Sequence, residues 1–445
     1  MSLITSLYAG ASGINAATDE LSVVGDNIAN SSTVGFKCSR AAFTDTMAQQ
    51  LVGSTGQLGL GVSTGCIQKL FSQGGFTTTG LSTDVAIQGN GLLVLKGSQG
   101  GVNGTFYTRN GQLTIDKDGY LTNLQGLRVQ GMQADVLGTV TAGLLGDLQV
   151  GNAAAPAKAT DNITIRGNLD QTAPATDASF TPATAKDTSN FTTTMTVYDS
   201  LGNAIQLNIY FCKKAAADTD PGDSGDWTYH VITDGGNLSQ DPLGAPTTAG
   251  TATEIATGTL RFDTEGRLIS NTTTTNGFYP KNALAPQALL FNFGTGTADG
   301  GSGLDGLTQY AAASAVSFVT QAGSSSGSLS SISIGQDGTI TGGFTNGQTR
   351  ILGQLILANF KAPDQLQRTG STLYTETPES GPPTLGTPST ADRGSINAGT
   401  LEQSNVDIAS QFIRMIAAQR NFQASAKTLT TADQLLAELM NVKRI

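Results

Sequence analysis

Apolar residues recur every seven positions at the two ends of the chain and every second position in between. This pattern predicts two terminal helices around a β-rich middle. Near the start Leu3, Leu7, Ile14, Leu21, Val24 and Ile28 keep the rhythm, with Ala11 and Ala17 at narrow positions. Near the end Ile408, Phe412, Met415, Phe422, Ala426, Leu429, Leu436 and Met440 repeat it, interrupted by Gln419 and Asp433. Each set is the apolar seam of an amphipathic helix. A helix of about 25 residues with one narrow stripe has little stability alone, so the two seams are expected to pack on each other in a coiled-coil-like domain. Other copies of the chain would cover the remaining flanks and make the seam a polymerisation surface; an intramolecular hairpin capping the β domains is the simpler alternative.

Residues 31–70 read as a Ser/Thr/Gly-rich connector that stops the first helix near Gly35 and isolates it from any β core. Beyond it the signal has period two. Strand-like runs fall at 85–87 and 92–95, and hairpins are predicted around Asp116-Lys117-Asp118-Gly119, Asp263-Thr264-Glu265-Gly266 and Gly335-Gln336-Asp337-Gly338. In each an acid accepts from the turn backbone while glycine takes a positive φ. Further strands are expected at 194–198, 204–211 and 351–360, with exposed loops at 171–192 and 215–226 and a Pro/Gly/Thr-rich run at 377–394. The predicted fold is mainly β, multidomain and nested. A terminal helical domain with its connector takes 1–70 and 401–445, an inner β domain 71–150 and 346–400, and an inserted outer β domain 151–345.

Composition narrows the function. Only 13% of residues are charged, the formal charge is −10, and no basic cluster exists, so affinity for nucleic acid is not expected. Surfaces of amides, hydroxyls and backbone suit broad polar contacts with copies of the same chain. No run approaches the roughly 20 apolar residues that span a bilayer, and the spaced apolar positions of 1–36, with no Lys or Arg, do not read as a cleaved signal peptide. Cys38, Cys66 and Cys212 read as free thiols.

Catalytic chemistry finds little support. His230 is the single histidine and sits in a strand pattern, as a satisfied or exposed side chain. No nucleophile elbow is apparent, and the glycines at 56, 59 and 61 lack the Lys-Ser/Thr of a phosphate loop. Asp116, Asp118 and Asp263 lack the spacing of a calcium loop. Neither cofactor nor metal is expected. Paired acids of a glycosidase type need no histidine and stay open at this point.

Three motifs carry a more specific reading. Asn27-Ile28-Ala29-Asn30 precedes Thr33-Val34-Gly35-Phe36-Lys37; Phe71-Ser72-Gln73-Gly74-Gly75 leads through Gly89-Asn90-Gly91 to Tyr107-Thr108-Arg109-Asn110-Gly111; and Gly399-Thr400-Leu401-Glu402-Gln403-Ser404-Asn405-Val406-Asp407 runs into Gln419-Arg420-Asn421-Phe422. Over roughly 1–150 and 345–445 the chain resembles the bacterial flagellar rod and hook axial protein family. The large insertion, with Tyr198-Asp199-Ser200-Leu201-Gly202-Asn203, is more similar to its hook members than to its rod members. The resemblance implies subunits that leave the cell unfolded through the flagellar type III export apparatus and stack into a curved tube outside the cell. That tube would transmit torque from rod to filament, with rod, hook-cap and hook-filament junction proteins as partners. Cys38 and Cys66 depart from the pattern expected of the family. A distal rod protein and a secreted β-rich adhesin are the competing readings.

Overall fold

Both terminal seams fold as helices, α1 over Leu3–Ala29 and α2 over Ile408–Val442, and they pack together antiparallel. The side-chain amide of Asn27 donates to Gln411 Oε1 at 3.2 Å. A methyl group added at Gly13 would lie 2.7 Å from Ser425 Oγ, and one at Gly10 would lie 3.2 Å from Thr428 Oγ1. These pairs keep one register along the helices and show why the approach is close: glycine, serine and alanine line it. Ala16, Ala17, Val23 and Val24 of α1 and Ala418 and Ala432 of α2 are buried.

In the computed structural model, residues 3–46, 49–50, 57–176, 180–214 and 223–442 are described. The chain divides into two units. The first comprises 1–153, 329–343 and 349–445; the second comprises 154–328 and 344–348.

In the first unit the segment after α1 is not an isolating linker. Ser39–Asp45 and Val62–Lys69 pair antiparallel as a hairpin, and this hairpin lies along α1. Ser12 Oγ accepts from the Val62 N–H, and Thr64 Oγ1 donates to Asp19 Oδ2 at 2.6 Å. Gly61 passes so close to Ser12 and Ala9 that a side chain there would collide. The expectation of an isolated first helix is thereby corrected: small polar residues on α1 admit a β ribbon as readily as a second helix. Between Thr46 and Val62 the expected connector falls partly on 47–48 and 51–56, which lie outside the described residues.

The same unit holds a sheet in which early and late segments alternate. Leu92–Gln99 pairs with Val102–Thr108 on one side, and on the other with Arg128–Ala134 and Leu357–Asn359. Leu373–Thr375 joins Val102–Thr108, and Thr349–Leu355 joins Arg128–Ala134. Val85–Gln88 pairs with Ser395–Ala398, and Phe76–Thr78 with Thr400–Glu402. Leu92, Val94, Tyr107, Ala358, Phe360 and Tyr374 form one of its cores.

The second unit is built around a five-stranded antiparallel meander: Phe191–Tyr198, Ala204–Lys213, Asp223–Asp234, Ala252–Asp263 and Leu268–Asn276, in chain order. Alternate residues such as Ile205, Leu207, Ile209 and Phe211 point into a core that centres on Trp227, Tyr229 and Phe293. A smaller sheet shares this core. In it Asn162–Asn168 pairs parallel with Leu290–Asn292 and Leu307–Thr308 and antiparallel with Ala315–Gln321. Ala154 and Ser328 are ladder partners, so the unit starts and ends at one place. Of the expected 215–226 loop, 215–222 lie outside the described residues, whereas 223–226 open a strand, because Asp226 and Trp227 take ladder positions opposite Arg261 and Leu260. The 171–192 loop is likewise shortened, since Phe191 and Thr192 start the strand paired with Phe211 and Tyr210.

Aspartate closes the turns. Asp116, Asp135, Asp199, Asp241 and Asp263 each accept, through Oδ1, from the backbone N–H groups two and four residues on. The glycine three residues on has φ between 79° and 86° in all five, the left-handed conformation that disfavours a Cβ.

Candidate functional site

The three sequence motifs meet at one buried carboxylate. Glu402, at the end of the strand that leads to α2, is wholly buried. Its Oε1 accepts from Lys37 Nζ at 2.7 Å and from the Gly74 N–H at 2.8 Å, and its Oε2 accepts from Arg109 Nε at 2.5 Å. Lys37 also donates to the Ser72 carbonyl, and the Arg109 guanidinium donates to the carbonyls of Ile87, Gly89 and Gly91. Every charge here is thus both paired and hydrogen-bonded, the condition under which burial is tolerated. Burial alone would push the Glu402 carboxyl up, but the Arg109 charge and the hydrogen bonds from Arg109, Gly74 and Lys37 hold it below the usual glutamate value. Burial lowers the Lys37 ammonium despite its bonds to Glu402.

Two asparagines extend this clasp to the helices. Asn405 Oδ1 accepts from the Cys38 N–H, while its Nδ2 donates to the Leu70 and Ser72 carbonyls. Asn27, buried at the end of α1, exchanges two hydrogen bonds with the Ser39 backbone. Asp26 adds a half-exposed ion pair to Arg368 at 2.9 Å. The helix roots are therefore bonded to the β body by side chains that imitate backbone. Asn27, Lys37, Arg109, Glu402 and Asn405 all lie in the sequence motifs, but their spacing along the chain gives none of them a role. Their signal was the placing of Lys37, Arg109 and Glu402 in long uncharged Gly/Ser/Thr/Asn runs of a charge-poor chain.

The proposed seam residues occupy several environments. Val24 is buried and Leu7, Ile14, Leu21 and Ile28 are half-buried on the flank of α1. On α2, Met415, Leu429 and Leu436 are half-buried. Ile408, Phe412 and Phe422 are 47%, 49% and 38% exposed within a single chain. Leu3 and Met440 belong to the helices, but their side chains lie outside the described residues. Ile413 and Ile416, absent from the sequence-based set, are exposed as well. The deepest contact between the helices belongs to small residues, and the larger apolar ones border it.

Other candidate residues have local roles. His230 Nδ1 lies 2.6 Å from Glu254 Oε1 and its ring stacks on Phe180 at 3.8 Å. No group of three or more His, Cys, Asp or Glu among the described residues could hold a metal ion, and the turn aspartates are occupied by backbone N–H groups. Cys38 and Cys212 are buried and Cys66 is exposed. Burial raises both buried thiols, that of Cys212 to about 11 with a contribution from Glu254. Cys66 sits opposite Ala42, whereas Cys38 adjoins Ser39, the partner of Lys69, at the far end of that hairpin. Their separation of about 13 Å along the strands exceeds the span of a disulfide. In the native protein at neutral pH a maleimide is expected to modify Cys66 rapidly and the other two only after denaturation; equal rates at all three would contradict this burial pattern.

No helix among the described residues is long and apolar enough to cross a membrane. Family models match in four places. Residues 7–37 match the flagella basal body rod protein, 86–171 the flagellar hook protein FlgE/F/G D1 domain, 168–324 the flagellar basal body protein FlaE D2 domain, and 397–442 the flagellar basal body rod FlgEFG protein C-terminal model. The flagellar hook protein FlgE of Escherichia coli is 36% identical over 97% of this chain and 98% of its own length. Those of Salmonella typhimurium and Borreliella burgdorferi are 35% and 33% identical, over 97% and 99% of this chain and 98% and 100% of their own lengths.

Proposed function

Because the chain belongs to the flagellar hook and rod axial protein family, as a structural and non-enzymatic subunit, we propose that it builds the hook, a curved tube of identical subunits that carries torque from rod to filament. The observation that carries this reading is similarity to hook proteins along nearly the whole chain, insertion included. The subunit is exported through the flagellar type III apparatus and stands outside the cell, between rod and hook-filament junction proteins and beneath a hook cap during growth. Its terminal segments, 1–70 and 401–445, form the inner layer of the tube with a coiled-coil core; 71–150 with 346–400 form the next layer and 151–345 the outermost. The exposed Ile408, Phe412 and Phe422 support a layer completed by neighbouring copies, since so many large apolar residues on one helix are otherwise left in water. Charge-poor, amide-rich β surfaces suit contacts that exchange during bending, because each hydrogen bond traded with water or a neighbour is worth only about 0.5–1.5 kcal/mol.

Electron microscopy of purified full-length protein over a concentration series tests the reading. Curved tubes are expected; straight fibres would assign the chain to the rod, and a persistent monomer would remove the structural role proposed. Phe422→Ala tests the seam. Phe422 is partly exposed in the single chain, so the variant should lose less than the roughly 3–5 kcal/mol of a fully buried phenylalanine and melt nearly as the parent does. Its critical concentration for assembly should nevertheless rise sharply. An unchanged critical concentration would place Phe422 outside the polymer contact.

A further inference from the structure

Five residues separate Glu402 from Ile408 at the start of α2, and the Glu402 carbonyl accepts from the N–H of Gly35, just beyond α1. One residue thus sits at the root of both helices. We propose that Glu402 is the charge-dependent positioning residue of the assembly surface: its ionised carboxylate fixes where α2 leaves the β body, and neutralising it uncouples the helix pair from that body. The proposal rests on the hook reading only in taking assembly as the outcome.

The geometry makes the charge indispensable. Both carboxylate oxygens are engaged, by donors from three separate stretches of chain: Lys37, Gly74 and Arg109. The remaining donors of both cations are directed at backbone carbonyls, which balance hydrogen bonds without supplying a counter-charge. Protonating Glu402 strands two buried cations side by side. Lys37 and Arg109 are the charges that face Glu402, and Cys38 adjoins Lys37 as a neutral thiol whose ionisation burial disfavours. Since the folded-state value of Glu402 lies below its ordinary 4.5, its contribution is present above that value and is lost as pH falls through the folded-state value.

The experiment follows assembly of the full chain by sedimentation between pH 7 and pH 3 for the parent, Glu402→Gln, Lys37→Met and, as a control, Asp118→Asn. Glu402→Gln keeps the shape but not the charge, and is expected to raise the critical concentration at pH 7 about tenfold or more. Lys37→Met removes one of the two cations that hold the carboxyl down, so its acid midpoint should move up by about one pH unit. Asp118→Asn breaks the exposed pair with Lys117, outside the clasp, and should assemble within about twofold of the parent. Parent-like assembly of Glu402→Gln, or an unshifted midpoint in Lys37→Met, overturns the proposal. Should Glu402→Gln fail to fold, the Lys37→Met midpoint alone decides. Should the parent remain monomeric, the hook reading fails, and protease release of α2 from the soluble chain over the same pH range decides in its place: a midpoint moved up by Lys37→Met supports the role of Glu402, and an unmoved one overturns it.

Discussion

Trp227→Ala should lower the melting temperature of the second unit by roughly 10 °C and leave the first unit unchanged. Trp227 is the largest fully buried side chain and stands in the central strand of the meander, in the core it shares with Tyr229 and Phe293. Removing a buried aromatic of this size costs about 3–5 kcal/mol. For a unit of this length each kcal/mol moves the midpoint by about 2–4 °C. Trp227→Phe should cost clearly less, because the indole Nε1 finds no hydrogen-bond partner among the described residues, so no bond is lost with it. Since this is the only tryptophan, fluorescence of the parent protein reports the second unit alone. Calorimetry showing the transition of the first unit lowered as much as that of the second would overturn this expectation.

Gly111→Ala should be the most damaging single methyl group in the first unit. An added Cβ would lie 1.6 Å from the Val85 carbonyl oxygen and 2.7 Å from its carbon. A side chain can turn away from such a clash, but a backbone carbonyl held in a ladder cannot. Val85 is held twice, by its N–H on the Gly111 carbonyl at 2.9 Å and by pairing with Ala398. Relief therefore requires Ser395–Ala398 to move as well. We expect a loss of about 3 kcal/mol or more, seen as a lowered far-ultraviolet melting transition while the tryptophan signal holds. Gly100→Ala is the informative control: its φ of 59° is left-handed but nothing lies within 4 Å of the added Cβ, so the cost should stay near the roughly 1 kcal/mol of backbone strain. Equal losses in the two variants would show that conformation, not collision, dominates at Gly111.

Local chemistry was legible in the sequence, and long-range geometry only where residues carried a signature. The turns at Asp116 and Asp263 could be read because an aspartate, a glycine and the backbone between them suffice to build each one. The terminal helices were legible from their period. Which face of α1 would be deepest was not, because the heptad of large residues drew attention to Leu7, Ile14 and Leu21 while closest approach selects Gly10, Gly13 and Ala17. The hairpin on α1 escaped notice for a related reason: Ser12 and Asp19 look like solvent-facing positions until a strand supplies their partners. At Glu402 the sequence offered an unusual charge in an uncharged run, but two cations 293 and 365 residues away along the chain cannot be paired with it by spacing.

The ladder between Ala154 and Ser328 also bears on the order in which the molecule forms. The five meander strands of the second unit pair with their chain neighbours, whereas Arg128–Ala134 in the first must find Thr349–Leu355, with the whole second unit lying between them in sequence. Closing so long a loop in an unfolded chain carries an entropy cost that grows with its length, and nonlocal pairing slows folding. Once the meander and its companion sheet have formed, Ala154 and Ser328 are already neighbours, and the effective loop shrinks to the stretches 135–153 and 329–348 on either side of that ladder. The insertion then acts as an internal splint: it folds first and delivers both halves of the first unit to each other.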